Sequence, residues 1–381
     1  MKKSGKQLKT PAILKKIPYS LKIVILITLI VKIFIFSLGF AVTYVNEGAA
    51  PPLSIVMRQF SHWDSPHYID IAKSGYVNEG EQRLFIVFFP LYPLLIRLTT
   101  FSFDYINLSA LIVSNVSSIF AAVYLFKLAQ LDFSDDVAKK AVLYLSVFPT
   151  AYFLSAIYTE GLFFALVIAS VYYARTEKWP LAGFLSMLAA LTRIAGLLLL
   201  PTLLVEYLHQ KGWKLKKINP NILWAMLALA GFLIYLGINY HVTGNFFTFM
   251  EIERTHWSQT IDPIQGLQGA WSWAVSAEFP QNITVGSAQI IFAAFGLLVV
   301  IAGFLLHLRL SYNVYMLLTW MLSVSTGWWI SVPRYVMAMF PMFILLGLLA
   351  RKRILHYIIV TVFTATLCFF TVLFAMGLWA F

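Results

Sequence analysis

Residues 23–45 read IVILITLIVKIFIFSLGFAVTYV, an apolar stretch that is interrupted by one charged residue, Lys32. The stretch exceeds the roughly 7–15 apolar residues of a signal peptide and matches the ~20 residues that a helix needs to cross a bilayer. Lysines precede it, and cytoplasmic segments carry an excess of lysine and arginine. The stretch therefore predicts an uncleaved first membrane span that leaves the N-terminus in the cytoplasm.

The composition predicts the same environment for the rest of the chain. It is 60% hydrophobic and 12% charged, whereas a soluble domain is roughly 25% charged. We therefore predict an all-α, polytopic integral membrane protein. The net charge of +12 does not indicate nucleic-acid binding, because the basic residues form short clusters between apolar spans, as in cytoplasmic loops. These clusters lie at residues 2–22, 211–217 and 351–353.

Apolar length and charge bias predict about 11 transmembrane helices in a single domain that covers residues 1–381. The C-terminus is then extracytoplasmic. The predicted spans are residues 23–45, 107–131, 141–153, 159–174, 181–208 as two half-spans, 222–240, 288–308, 312–330, 335–350 and 354–378.

Two segments require a special interpretation. Residues 84–98 (LFIVFFPLYPLLIRL) are short and carry Pro90 and Pro93, so we predict helix at or dipping into the membrane interface. A single span over residues 181–208 would place the basic loop that follows outside, so we predict a break near Arg193. The first extracytoplasmic loop, residues 46–106, is then helical, and the second covers residues 241–286.

The first of these loops contains the polar sequence HWDSPHYIDIAKSGY, residues 62–76. Polar residues beside a bilayer are costly and usually functional. Asp64, next to Trp63, is a partly desolvated carboxylate that could accept a proton. Alternatively, it supports a helix start, with Ser65 as N-cap, Pro66 in the first turn and Gly75 at the end. The residue types leave the two roles equally favoured.

Two histidines flank this carboxylate. His62 and His67 could bind a metal together with Asp64, but the spacing lacks the helical pattern of a known metal motif, which favours hydrogen bonding to backbone or substrate. Cys368 is the only cysteine, so neither an intrachain disulfide nor a thiolate metal site is possible.

Two arginines are candidates for binding a phosphate. Arg193 interrupts an apolar run, and a membrane-embedded arginine normally faces a cavity and has a partner. It could bind phosphate or form a structural ion pair with Glu160. Arg334, predicted at the outer end of a span, is a second phosphate candidate or an interfacial anchor. The apolar segment of residues 88–93 suits a lipid chain or simple interfacial packing.

In combination, these residues resemble the PIG-V-type mannosyltransferases of the GT-C superfamily. The resemblance extends in order from Trp63 to Pro341. It is carried by the segments 63–68, 71–72, 75–76, 88–93, 148–151, 158–160, 190–193 with Gly196, 244–245 with Trp257, and 333–335 with 340–341.

The resemblance implies a GT-C membrane enzyme that takes a hexose, expected to be mannose, from a polyprenyl-phosphate carrier on the extracytoplasmic side. The expected catalytic residue is Asp64, as general base in an inverting transfer. Arg193 and Arg334 would stabilise the leaving phosphate. The expected substrate-binding residues are His62, Trp63, His67, Tyr68, Tyr76, Phe89, Tyr92, Glu160, Arg193, Trp257, Arg334 and Tyr335.

The resemblance also sets expectations about partners and location. The partners are membrane lipid, the polyprenyl-phosphate-linked sugar, and a glycan, glycolipid or protein acceptor. No further cofactor is expected, and the need for a divalent metal is left open. The absence of an evident retention signal favours a prokaryotic plasma membrane, or the endoplasmic reticulum membrane if the host is eukaryotic. A transporter or flippase of lipid-linked sugars and a non-catalytic subunit of a transferase complex remain the alternatives.

Overall fold

The computed structural model describes residues 18–48 and 53–381. The lysines of the predicted cytoplasmic N-terminus up to Lys16, and residues 49–52 of the first outer loop, lie outside the described residues. All regular elements in the described part of the chain are helices. This agrees with the predicted all-α class.

Five helical segments of the described residues are long and apolar enough to cross a membrane, or six if a bent pair counts as one span. They contain α1 (Tyr19–Glu47), α5 (Ile106–Ala129), α10 (Leu227–Thr243), α13 (Ala288–Leu305) and α17 (Arg353–Ala375). The chain is therefore a multi-pass membrane protein. A short 3₁₀ turn (Pro220–Met226) precedes α10 and a π turn (Asn282–Ser287) precedes α13.

The predicted count of about 11 spans, two of them half-spans, is not confirmed. Five predicted spans correspond to the long helices, and the other six correspond to shorter or broken ones. Apolar length alone does not decide whether these shorter helices are spans, because a short helix buried among neighbours is as apolar as a span. The shorter helices are α6 (Asp135–Ser146), α7 (Glu160–Arg175), α8 (Trp179–Ala190), α9 (Leu199–Gln210), α14 (Leu310–Val324), α15 (Val332–Met337) and α16 (Pro341–Leu349).

The predicted break near Arg193 is confirmed. Helix α8 ends at Ala190, Arg193 is extended, and a 3₁₀ turn (Ile194–Leu198) leads into α9. A Cβ at Gly196 would overlap the backbone of Ala189 and Ala190, so the chain turns this tightly only with glycine there. The break leaves Arg193 outside regular helix, with a side chain that can reach a neighbouring segment.

The two predicted outer loops contain short helices. The first has α2 (Leu53–Arg58), α3 (Ser65–Ser74), a 3₁₀ turn (Glu81–Val87) and α4 (Leu91–Thr99). The 3₁₀ turn and α4 meet at a bend of 110°, and the location of this segment at the membrane interface stays a prediction. The second has α11 (Thr248–Thr255) and α12 (Pro263–Ser276).

Helix α7 lies at the centre of the bundle, packed against α5 on one side and α8 on the other. A Cβ at Gly161 would overlap the backbone carbonyl of Ser114 in α5. Small residues at such positions allow membrane helices to approach closely. This close contact buries Glu160, the first residue of α7, between neighbouring helices.

A network of ion pairs lies at the other end of α7, and we call it the Glu206 cluster. Arg175, at the end of α7, donates two bonds of 2.7 Å to Asp132. Arg309 donates to both carboxylate oxygens of Glu206 at 2.7 and 2.6 Å. The cluster thus ties α7, α9 and the start of α14 together. No pattern in the sequence predicted this cluster.

Candidate active site

Helix α3 positions Asp64 at its N-terminal end. Asp64, rather than the predicted Ser65, occupies the N-cap position, and its side chain makes no capping hydrogen bond. The Ser65 hydroxyl instead donates to the carbonyl of Ile157 at 2.9 Å. The prediction of Ser65 as the cap is therefore wrong by one residue, whereas Gly75 ends the helix as predicted. The Asp64 carboxylate is left free to contact other groups.

The backbone before Asp64 is held in an unusual conformation. Trp63 has a φ of 59°, in the left-handed region that bulky residues rarely adopt. The Tyr158 hydroxyl holds the segment in place, because it donates to the carbonyl of His62 at 2.9 Å and accepts from the amide of Asp64 at 3.3 Å. The Trp63 ring packs edge-on against Trp379 at 4.8 Å between centroids. Such strain often accompanies a functional role.

Four predicted site residues meet in one chain of ion pairs, which we call the Asp64 cluster. Nη1 of Arg334 donates to Oδ2 of Asp64 at 3.1 Å, and Nε of Arg334 donates to Oε1 of Glu160. Arg193 donates from Nη1 to the same oxygen of Glu160. The order of the chain is therefore Asp64, Arg334, Glu160 and Arg193. The ion pair between Arg193 and Glu160 is the one that the sequence suggested.

The middle of the Asp64 cluster is buried and its two ends are accessible. The side chains of Glu160 and Arg334 are 3% and 7% exposed, whereas those of Arg193 and Asp64 are 19% and 29% exposed. Oε2 of Glu160 is buried and has no hydrogen-bond partner in the described residues. This oxygen is therefore an acceptor position of the Asp64 cluster that no described side chain or backbone group uses.

Aromatic rings surround the two guanidinium groups. That of Arg334 lies 4.7 Å from the ring centroids of both Phe153 and Tyr158. That of Arg193 lies 5.5 Å from the centroid of Tyr335. These contacts stabilise the cations through the ring quadrupole and limit the positions that each guanidinium can take.

The second outer loop packs over the first. Trp257, which follows α11, lies 6.3 Å between centroids from both His67 and Phe88. Nε1 of Trp257 is buried without a partner in the described part of the chain. Burial and the charge of Asp64 raise the pKa of Glu253, in α11, to about 7. The charge of Asp64 therefore acts on a third carboxyl group, that of Glu253.

Two residues of α3 line the same region. Tyr68 is buried, and its ring lies 6.4 Å from that of Tyr158. Burial and then the charge of Asp64 raise the pKa of its phenol above the usual value. For His67, burial lowers the pKa of the imidazole, and the charges of Asp64 and Asp70 oppose that shift. Both side chains thus respond to the charge at Asp64.

The two histidines have different neighbours. His62 packs edge-on against Phe374 at 5.5 Å, and His67 packs against Phe85 at 4.3 Å. Burial lowers the pKa of His62, and its Nε2 has no partner among the described residues. No group of three or more His, Cys, Asp or Glu side chains in the described ranges could hold a metal ion.

Three predicted site residues lie apart from the ion pairs. Tyr76 donates to the carbonyl of Phe88 at 2.5 Å. Phe89 stacks on Tyr235 at 4.0 Å, and Tyr92 shares a 2.7 Å hydrogen bond with Ser114. These contacts hold the segment of residues 88–93 in place, and its role in lining a lipid path stays a prediction.

The structure adds three residues that were not predicted for the site: Tyr158, Glu253 and Trp379. Tyr158 could have been found from its position two residues before Glu160. Glu253 lies four residues after Phe249 within α11, a spacing that places these two side chains on one helical face. Nothing in the sequence links Trp379 to Trp63.

The arrangement places the partly exposed carboxylate of Asp64 at one end and the partly exposed guanidinium of Arg193 at the other. The buried pair of Arg334 and Glu160 joins them. A carboxylate can accept a proton, and guanidinium groups match phosphate in shape and charge. Fold and site therefore define a multi-pass membrane protein with a chain of two carboxylates and two guanidinium groups at one end of its bundle.

Comparison with known families identifies this class more closely. The model of a family described as Mannosyltransferase (PIG-V) matches residues 22–252, which is more than half of the 381 residues. The chain therefore belongs to the PIG-V mannosyltransferase family. The matched range contains Asp64, Glu160 and Arg193, whereas Arg334 follows it. Comparison with curated proteins and with solved structures gave no match.

Proposed function

We propose that this protein transfers mannose from a polyprenyl-phosphate carrier to an acceptor hydroxyl, with inversion at the anomeric carbon and Asp64 as general base. Membership of the mannosyltransferase family supports the transfer of mannose. The single observation that carries the assignment of roles is the bond from Arg334 to Asp64, because it joins a candidate base to a candidate phosphate-binding group.

The proposed reaction is one displacement. The acceptor oxygen forms a bond to the anomeric carbon while the bond from that carbon to the carrier phosphate oxygen breaks. The electron pair leaves with the phosphate, and the hydroxyl proton passes to the Asp64 carboxylate. Attack from the side opposite the phosphate inverts the configuration.

Stabilisation of the departing phosphate is the task of the two arginines. Arg193 is the more exposed guanidinium of the pair and would contact the phosphate directly. Arg334 contributes positive charge from the buried side and orients Asp64. Glu160 accepts from both arginines, so it would set the distance between them. Pre-positioned donors of this kind can contribute a factor of roughly 10²–10³ in rate.

The aromatic residues around Asp64 suit a sugar ring. Trp63 is 41% exposed, Tyr68 lies against Tyr158, and Trp257 lies against His67. Trp and Tyr offer an apolar face together with a polar edge, which fits the faces and hydroxyls of a hexose. The carrier lipid would approach through the membrane along the segment of residues 88–93, on the extracytoplasmic side. The acceptor would be a glycan, glycolipid or protein.

The test uses purified protein in lipid nanodiscs with polyprenyl-phosphate mannose labelled in the sugar. Membranes of the producing cell supply the acceptor. We expect release of unlabelled polyprenyl phosphate and transfer of label to acceptor, with polyprenyl-phosphate glucose and GDP-mannose as poor donors. Movement of intact labelled lipid across the bilayer without cleavage would instead identify a flippase. Turnover of GDP-mannose alone would contradict the proposed donor.

A further inference from the structure

We propose that α12 (Pro263–Ser276) lies in the membrane interface and inserts one of its sides among the acyl chains of the lipid. The inference goes beyond the proposed function and does not depend on it. Helix α12 belongs to the second outer loop, and the proposed reaction assigns it no role. Among the described residues, it is not one of the segments that are long and apolar enough to cross a membrane.

One side of α12 packs on the rest of the protein. Gly266 and Ala270 are buried, and residues four apart share one side of a helix. A Cβ at Gly266 would come within 2.3 Å of the carbonyl oxygen of Thr326, so the two segments pack with their backbones in contact. This side of α12 is therefore closed to any partner.

A second side of α12 is apolar and exposed, and we call it the α12 ridge. It consists of Ile264, Leu267, Trp271 and Val275, which are 68%, 45%, 63% and 66% exposed. Their spacing of three or four residues places all four on one side of the helix. A contiguous row of large apolar side chains of this kind marks an interaction surface.

The third side of α12 is polar. Each residue of the α12 ridge is followed along the chain by an exposed polar residue: Gln265, Gln268, Ser272 and Ser276. Successive residues are turned by roughly 100° around a helix, so these four form a polar side next to the ridge. A helix that has an apolar side and a polar side is typical of one that lies in the plane of the membrane interface.

The charges around the α12 ridge narrow the choice of partner. Helix α12 contains no charged residue, and the nearest charged residues on either side along the chain are acidic, Asp262 and Glu278. Since this stretch has no basic residue to attract anionic headgroups, apolar contact with acyl chains must supply the binding. Trp271 suits this place because tryptophan is enriched at membrane–water interfaces.

The position of α12 in the fold brings the α12 ridge to the membrane. A Cβ at Gly286, in the π turn that leads into α13, would come within 2.4 Å of the backbone nitrogen of Ala274. Helix α13 belongs to a segment that is long and apolar enough to cross a membrane. Its most exposed side chains are also apolar: Ile291, Leu298 and Leu305. Helix α12 therefore lies against the end of a span, where its ridge can extend the lipid-facing surface.

The same end of the bundle carries the Asp64 cluster. The backbone N–H of Val332 donates to Oε1 of Gln289, in the first turn of α13, at 2.8 Å, and Arg334 follows Val332 by two residues. The carbonyl of Thr260, just before α12, accepts from the N–H of Gly327 at 2.7 Å. Insertion of the α12 ridge would therefore hold Arg334 near the depth of the lipid headgroups.

The test measures the depth of nitroxide labels in nanodiscs of dioleoylphosphatidylcholine. The labelled variants carry one cysteine each in a Cys368→Ser background, on the ridge or on the polar side as matched controls: Leu267→Cys, Trp271→Cys, Val275→Cys, Gln265→Cys and Ser272→Cys. Collisions with O₂, which concentrates in lipid, are compared with collisions with a water-soluble nickel chelate. We expect the ridge labels to lie roughly 5–10 Å into the boundary between headgroups and acyl chains, and the control labels to lie in water.

Three results would overturn the proposal. Ridge labels that are as accessible to the nickel chelate as the controls would place α12 in water. Ridge labels that neither reagent reaches would show that protein, such as a second copy of this chain, covers the ridge. Insertion that occurs only after dioleoylphosphatidylglycerol is added would show that headgroup charge, and not apolar contact, supplies the binding. Because the measurement needs no substrate, its result stands whether or not the protein transfers mannose.

Discussion

Helix α7 carries an ion cluster at each end, and the two clusters use their carboxylates differently. In the Glu206 cluster both oxygens of Glu206 accept, with Arg309 bonded to each, Ser311 donating to Oε2 at 2.7 Å and Gln210 donating to Oε1 at 2.7 Å. In the Asp64 cluster two arginines share one oxygen of Glu160, and the other oxygen has no partner among the described residues.

This difference in bonding distinguishes a cluster with a structural role from one that can take part in catalysis. Breaking a buried ion pair by removal of one partner costs roughly 3–5 kcal/mol, so a cluster whose carboxylate is fully bonded is well suited to holding helices together. Both clusters have partly exposed ends, so the difference lies in the carboxylate, and one with an unpaired oxygen retains an acceptor position for a substrate. The comparison predicts that equal chemical changes at the two ends have unequal effects on transfer.

The largest expected contrast is between Arg334→Lys and Arg309→Lys. Lysine keeps the charge but cannot reproduce two directed bonds from one planar group. We expect Arg334→Lys to lower transfer per folded protein by roughly 10²-fold, since both Asp64 and Glu160 lose their fixed partner. Arg309→Lys should leave transfer within about twofold. Both variants should lose thermal stability, by roughly 1.5–3 kcal/mol for bonds to a charged group.

The measurements are polyprenyl phosphate release, normalised to monodisperse protein, and thermal unfolding in the same detergent. Equal losses of transfer in the two variants would remove the distinction between the clusters.

A smaller contrast is expected between Glu160→Gln and Glu206→Gln. A glutamine at position 160 can keep its oxygen toward the arginines and place its NH₂ group where Oε2 has no partner. At position 206 both carboxylate oxygens accept hydrogen bonds, so the NH₂ group of a glutamine there must face a donor. We therefore expect Glu206→Gln to cost roughly 3–5 kcal/mol of unfolding free energy and Glu160→Gln about 1–2 kcal/mol.

The rate of transfer should show the reverse order, with the larger loss in Glu160→Gln. Glu160→Gln removes the charge that holds Arg193 and Arg334 together, so we expect about a tenfold loss, whereas the folded fraction of Glu206→Gln should retain wild-type transfer. Thermal unfolding and single-turnover transfer on the same samples provide both numbers. Greater destabilisation by Glu160→Gln than by Glu206→Gln would contradict the hydrogen-bond assignment.

The sequence predicted the Asp64 cluster better than the Glu206 cluster for a physical reason. Arg193 and Glu160 interrupt apolar runs, where a charge requires a partner. Asp132, Arg175 and Arg309 lie at the ends of apolar segments, where charged residues are normally solvated. Arg175 is 43 residues from its partner Asp132, and Glu206 is 103 residues from its partner Arg309. No local sequence pattern links residues that are this far apart.

The helices were predicted to different extents as well. The long spans and the break near Arg193 follow from apolar length, charge bias and a glycine. The division of the predicted span 335–350 into α15 and α16 does not follow from these features. Both halves are equally apolar, and only Pro341 marks the start of α16. Glu253 escaped prediction because its environment depends on packing between two loops that are distant in sequence.

Asp64→Asn tests the central claim most directly, with Asp70→Asn in the same helix as its control. The claim is that the Asp64 cluster carries out mannosyl transfer with Asp64 as the base. The measurement is the rate of polyprenyl phosphate release from polyprenyl-phosphate mannose by protein of unchanged thermal stability. We predict a loss of at least roughly 10²-fold in Asp64→Asn and less than a twofold change in Asp70→Asn. Transfer by Asp64→Asn within about twofold of wild type would contradict the claim.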